Sequence, residues 1–161
     1  MEPRIETIPD KKLIGKRLKM TISNDRTYEL WHSFMPVRNE IKNRVSDDLF
    51  SLQVYDNSLD FNDFNPDTAF EKWAAAEVSE FDTIPARMET HTLKGGLYAV
   101  FLYKGRASDF PQTFHYIFHT WLPASAYEVD KRDHFEILGD KYKSDDPTSE
   151  EEVWVPVKIK E

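Results

Sequence analysis

Residues 13–22, Leu13-Ile14-Gly15-Lys16-Arg17-Leu18-Lys19-Met20-Thr21-Ile22, partly alternate apolar and polar side chains, as a half-buried strand does. Residues 23–27 then supply turn and N-cap types. Leu30, Phe34, Val37, Ile41 and Val45 follow at helical spacing, and Pro36 inside that stripe predicts a kink or a fresh helical start. Residues 49–55 and 70–78 read as strands around an Asn/Asp-rich loop holding Asn65-Pro66-Asp67. Residues 79–87, with Pro85, read as a connector.

The second half repeats this order. Residues 97–103 form a Tyr/Val/Phe-rich strand after Gly95-Gly96, and Ser108-Asp109 can cap a helix. That helix carries Phe114, Ile117, Phe118, Trp121 and Leu122 on one face. Residues 135–138 and 153–159 close the pattern as strands, separated by a charged, mobile loop over 143–151. Segments also echo directly. Ile5-Glu6-Thr7-Ile8 matches Met88-Glu89-Thr90-His91, and Asp48-Leu49-Phe50-Ser51-Leu52 matches Asp133-His134-Phe135-Glu136-Ile137. Glu71-Lys72-Trp73-Ala74 matches Glu152-Val153-Trp154-Val155, giving offsets of 83, 85 and 81 residues. One duplicated unit explains all three. The expected architecture is α+β: two β-α-β-β repeats in pseudo-twofold arrangement, about 4–80 and 86–160, within a single domain over 1–161. Helices cover one face of antiparallel sheets, with a central ligand groove.

Alternation sorts the side chains further. Phe135 and Ile137 are expected beneath the helices, and Glu136 on the other face with His134 and Leu138. Val153, Val155 and Val157 share one face, which leaves Trp154 with Glu152 opposite, while Trp73 shares a face with Glu71 and Ala75. The predicted open face therefore gathers carboxylates and indoles, with the small residues Ala74, Ala75 and Ala76 leaving room. Aromatic walls around an acid suit an apolar cation, because ring quadrupoles and a carboxylate both attract positive charge. Where Ser51 is matched by Glu136, the repeats part company, and that position is the leading candidate.

Composition narrows the class. With 161 residues, 40% hydrophobic, there is ample material for one core. The chain has no cysteine, so disulfides and thiolate metal sites are excluded. A net charge of −8 disfavours nucleic acid as a direct partner. The basic run from Lys11 to Lys19 alternates as a solvated strand face. No segment approaches the roughly 18 apolar residues of a membrane span. The opening Met1-Glu2-Pro3-Arg4 lacks a signal sequence, so a cytoplasmic location is expected.

Taken in order, four motifs carry a family likeness. They are Glu29-Leu30-Trp31 with Phe34-Met35-Pro36, Gly96-Leu97-Tyr98-Ala99-Val100-Phe101, Phe135-Glu136-Ile137, and Glu152-Val153-Trp154-Val155-Pro156. Across nearly its whole length the chain resembles the GyrI-like effector-binding domains. The resemblance implies two β-α-β-β repeats around a groove and binding of lipophilic cations through a buried Glu among aromatic rings. By position Glu136 is that acid, and Trp154, Trp73 and Tyr98 are the candidate walls. In multidrug-sensing regulators such a domain is fused to a DNA-binding segment. None precedes residue 5 here, so a stand-alone sensing or sequestering module is expected. The resemblance also implies two rivals: hydrolysis of cyclopropane-bearing alkylating toxins, with Glu136 as acid or base and Tyr98 assisting, and a protective protein partnership with gyrase.

Other patterns carry less. His115 and His119 have metal-ligand spacing, but Tyr116 stands where a zinc-protease helix needs Glu, and a helix flank is the better reading. Residues 56–67 lack the Gly and terminal Glu of an EF-hand, so they read as a solvated turn. No cofactor motif is present, and no catalytic residue or metal ligand is assigned.

Overall fold

A computed structural model describes all residues, Met1–Glu161. Each half begins with two consecutive strands where a single strand was expected. The first half holds β1 (Arg4–Ile8), β2 (Lys11–Met20), α1 (Thr27–Phe34), β3 (Leu49–Val54) and β4 (Phe70–Val78). The second holds β5 (Glu89–Leu93), β6 (Gly96–Lys104), α2 (Phe110–Tyr116), α3 (Leu122–Ala124), β7 (Tyr127–Val129), β8 (His134–Leu138) and β9 (Glu150–Ile159). No helix is long and apolar enough to cross a membrane.

Both helical segments depart from the simple stripes. Pro36 begins a 3-10 turn over Met35–Glu40, and Ile41 is already extended, so the expected stripe is helical only in part. Val45, its last member, is exposed. Proline's missing N–H and fixed φ suit a helical start but not an interior position, which accounts for the break. In the second half a wide π turn, Ile117–Trp121, joins α2 to α3 without a break. Asp109 precedes α2, but its side chain makes no capping hydrogen bond. Glu150 and Glu151, expected in a loop, belong to β9.

All strand pairs are antiparallel, in the order β1-β6-β9-β8-β3-β4-β2-β5, with β7 added to β9. The outer strands are exchanged: β1 pairs with β6 of the second half, and β5 with β2 of the first. Yet only Pro9-Asp10 separates β1 from β2, and only Lys94-Gly95 separates β5 from β6. Such short links cannot cross eight flat strands, so the sheet curls until its ends meet. The Asp10 carboxylate accepts the Gly95 N–H at 2.7 Å. A Cβ on Gly95 would lie 2.2 Å from the Ile8 carbonyl oxygen, which makes glycine necessary at this crossing.

Curling gives the sheet two buried faces. Its interior holds Leu13, Leu52, Trp73, Tyr98, Phe135 and Trp154 among others. On the outside, α1 places Leu30 and Phe34 over Ile14, Ala74 and Ala76, and the α2–α3 segment places Ile117 and Leu122 over Phe101, Val153 and Val155. Each large apolar side chain removed from water this way contributes roughly 1.5–3 kcal/mol. The expected assignment of faces is therefore corrected. Phe135 and Ile137 face the interior, and it is Glu136, with Leu138, that shares the helix side. The alanines are corrected as well: Ala74 and Ala76 admit α1, and Ala75 packs inside.

Ser51 lies opposite Glu136 across the β3–β8 ladder. Trp154 pairs with Val100 and Phe135, whereas Trp73 pairs with Arg17 and Leu52, so the expected match of the two indoles is not reproduced in the register.

Gly15, on β2, is closely enclosed by the neighbouring strand. A Cβ there would sit 2.1 Å from the Ala74 carbonyl oxygen and 2.6 Å from the Ala75 Cα. Backbone, not a flexible side-chain tip, would have to yield. Gly15→Ala is expected to lower unfolding stability by at least about 2 kcal/mol. Urea unfolding measures this directly, and a wild-type midpoint for the variant would contradict the packing described.

Candidate functional site

Because α1 covers β2 and β4 while the α2–α3 segment covers β6 and β9, the central pair β3 and β8 lies between the helices. Residues of that pair facing the helix side form the floor of a groove: Ser51 and Gln53 from β3, His134 and Glu136 from β8. Strand alternation fixes all four on one side. The cross-strand neighbours of Glu136 are the small Ser51 on β3 and Val153 on β9.

Above this floor is a hollow of about 160 Å³ whose lining is mostly hydrophobic. Glu136 and Lys72 are its charged members. Gln53 Nε2 donates to Glu136 Oε1 at 3.3 Å, a long bond to a carboxylate. Desolvation raises the Glu136 pKa above the ordinary carboxylate value; the Lys72 ammonium and the Gln53 bond pull the other way and do not prevail. Glu151, two residues before Val153 on β9, is raised to about 7 by desolvation and by the charge of Glu136, with Lys72 again opposing. Two acids thus compete for one ammonium in a poorly solvated space.

The walls are rings. Tyr55 packs edge-on against Phe64 at 5.6 Å, and Phe70 lies at the same centroid distance. Phe114 and Phe118, one turn apart in the helical segment over β9, lie 4.5 Å from each other. His134 packs edge-on to Tyr55 at 5.1 Å and is fully desolvated, which pushes its pKa down to about 3 and keeps the imidazole neutral. Burial likewise raises the pKa of the Tyr55 hydroxyl, so it remains protonated. The floor acid is therefore surrounded by uncharged π-systems.

Of the four residues expected to form the site, Glu136 occupies the groove and the other three turn away from it. Trp154 borders the hollow, but its indole faces the sheet interior, stacked on Phe135 at 5.2 Å, and donates to Glu152 at 3.2 Å. Trp73 is buried on the same interior side, against His91 at 4.9 Å, and donates to Glu71 at 2.9 Å. Tyr98 is fully buried, its hydroxyl donating to the Asp133 carbonyl at 2.8 Å beneath the Arg132 guanidinium. The cause is strand alternation: all three share the face of Phe135, opposite Glu136, and the curl of the sheet encloses that face.

The rings that do line the groove come from two segments read differently in the sequence. Phe64 and Phe70 lie in or beside the stretch taken as a solvated turn, with Phe61 next to them, and Phe110, Phe114 and Phe118 lie on the helical segment over β9. Three phenylalanines in ten residues of an otherwise polar loop were the available signal. His115 and His119 lie side by side on the exposed flank of the helix, ring centroids 4.4 Å apart. No group of three metal-ligating side chains accompanies them.

Known proteins share this fold. Transcriptional regulator BrlR of Pseudomonas aeruginosa is 24% identical over 158 residues, which span 98% of this chain and 56% of the regulator. This chain thus matches little more than half the length of that relative. SAV2435, solved bound to tetraphenylphosphonium, superposes with a TM-score of 0.70 at 18% identity, covering 98% of this chain and 94% of SAV2435. The EcmrR C-terminal domain gives 0.71 at 14% identity, covering 99% and 98%. The two structural likenesses establish the fold. The description "GyrI-like small molecule binding domain" matches residues 1–158, and the chain belongs to that family.

Proposed function

We propose that this domain binds an amphipathic cation in the groove between its two helical segments, with Glu136 as counter-charge, so as to sense or sequester it. One observation carries the reading: a desolvated carboxylate, hydrogen-bonded only to Gln53, lies on the floor of a hollow walled by phenylalanine and tyrosine rings. The tetraphenylphosphonium bound by SAV2435 is a ligand of the same chemical class.

The energetics follow from the surroundings. A carboxylate held in a poorly solvated hollow favours its protonated form, and an entering cation reverses that preference. Rings that face the cation contribute roughly 0.5–2 kcal/mol each. Micromolar binding needs only about −8 kcal/mol in all. Lys72 sets a threshold, since its ammonium already draws on the same acids and the ligand must displace its influence. Trp73, Tyr98 and Trp154 act in this account as the packed interior that holds β8 and β9 in place.

We also read the two halves as copies related by a pseudo-twofold axis through the Ser51–Glu136 pair. On this reading one copy kept a small residue and the other acquired the charge, so a single ligand meets a single acid. If the domain acts as a sensor, a DNA-binding segment or protein reads the bound state.

Glu136→Gln preserves shape and removes charge. It is expected to weaken binding of benzyltrimethylammonium at least ten-fold, about 1.4 kcal/mol, while leaving a neutral aromatic of similar size unaffected. Fluorescence or calorimetric titration tests this, and equal cation affinity in both proteins would refute the electrostatic half of the reading. A second expectation concerns pH. The folded pKa of Glu136 lies above its ordinary 4.5, and that of Glu151 is about 7, so the folded state holds more protons than the unfolded. Their contribution to stability is full below 4.5 and is lost as pH rises toward and through the folded values. Over pH 4.5–7 the ligand-free wild type should therefore lose stability relative to Glu136→Gln, by at most about 1.4 kcal/mol per pH unit per acid. Saturating cation should cancel that loss. Parallel stability curves for the two proteins would count against a strained acid.

A further inference from the structure

The hollow above Glu136, about 160 Å³, is smaller than the roughly 300–1,000 Å³ that drug-sized ligands occupy. It suits a quaternary ammonium carrying one ring. Directly beside it runs a cleft of about 500 Å³, between the 56–62 segment, the α3–β7 region and the chain leading into β8. Tyr55, Phe118 and His134 border both spaces, so only a layer of side chains divides them. Phe61 completes that layer, stacked on Phe118 at 5.2 Å and on His134 at 5.1 Å. It sits on the 3-10 turn Phe61–Asp63, in the connection between β3 and β4, where a ring can shift without breaking a strand ladder.

The cleft's own chemistry is mixed: most of its charged side chains are engaged, Asp56 and Asp60 accept the Ser58 and Asn62 N–H, and Lys131 is exposed. Arg132 is held by Asp130 and by the carbonyls of Leu97 and Val157. Lys160 bonds the Pro123 and Ser125 carbonyls, Lys158 faces Glu128, and Asp133 is bound to His91. Apolar surface from Phe61, Phe118 and Leu122 remains, beside the amides and hydroxyl of Asn57, Ser58 and Asn62.

We propose that the two spaces form one elongated site whose ligand class is a long amphipathic cation, with its aromatic ammonium head over Glu136 and an uncharged tail of mixed polarity along the cleft past Phe61. The inference rests on the cation reading above for the head and adds the tail. A tail laid there gains apolar burial against the rings and hydrogen-bonding partners at the rim without needing a second charge. It also explains how a small hollow could serve a large ligand: the head fixes charge, and the cleft provides length.

The cysteine-free chain permits a direct footprint. Asn57 lines the cleft, is exposed and is outside the Glu136 hollow, so Asn57→Cys introduces one thiol at the proposed tail position. Its alkylation by a maleimide is timed alone, with benzyltrimethylammonium, and with benzethonium below its micellar concentration. Benzethonium joins a benzylammonium head to a diether-aryl tail. Binding of each compound is followed independently by calorimetry. Saturating benzethonium is expected to slow alkylation at least ten-fold, and bound benzyltrimethylammonium to leave the rate within two-fold. Benzethonium that binds without protecting the thiol overturns the two-chamber site. Equal protection by the compact cation overturns it too, since closure rather than occupancy would then be at work. If neither compound binds, the cation reading itself fails, and this inference falls with it.

Discussion

One ladder, β3 against β8, joins the four strands β1-β6-β9-β8 to the four strands β3-β4-β2-β5. The rest of the molecule is arranged around that seam. The helical segments take the strands on either side of it, which leaves its outer face as the floor of a groove. Its inner face carries Phe50, Leu52, Phe135 and Ile137 into the interior. A carboxylate in the middle of such a ladder has nowhere to go but into the groove. That geometric constraint, more than any local propensity, makes Glu136 a chemical feature of the domain.

Curling the sheet separates two tasks that a flat sheet would mix. The interior absorbs the indoles and Tyr98, whose polar atoms are satisfied by Glu71, Glu152 and the Asp133 carbonyl. This half of the protein is closed and polar-satisfied, the condition for rigidity. The groove is the opposite case, with two acids of raised pKa, a half-buried lysine and a set of rings with space between them. Packing in the interior holds β8 and β9 in place, and the helix side of β8 presents the acid. An arrangement of this kind keeps a binding site open without softening the fold beneath it.

Much of this was legible in the residues. The α+β order, the antiparallel strands and the connector at 79–87 are present in the fold. Alternation also grouped His134, Glu136 and Leu138 on one face and the three valines of β9 on one face. It could not tell which face the helices take, because strands of a curled sheet are apolar on both sides and the period of two is blind to which side is outward. That ambiguity sent Trp73, Tyr98 and Trp154 to the wrong side. The loop rings were missed for a different reason. Between Asp56 and Asp67, Asn and Asp dominate the composition, while Phe61 and Phe64 fold back as part of a wall. Whether a ring in a polar loop points inward is decided by what lies beneath it, here Tyr55 and His134, and that is tertiary information.

The central claim is that Glu136 is held in a state of raised proton affinity that a cation relieves. Carboxyl carbon NMR, with Glu136 assigned through the Gln variant, measures that property at the atom concerned. The account predicts a Glu136 midpoint above the ordinary carboxylate range in the free domain and a fall of at least one pH unit on saturation with a lipophilic cation. A midpoint near that of a solvated glutamate, unmoved by the cation, would contradict it.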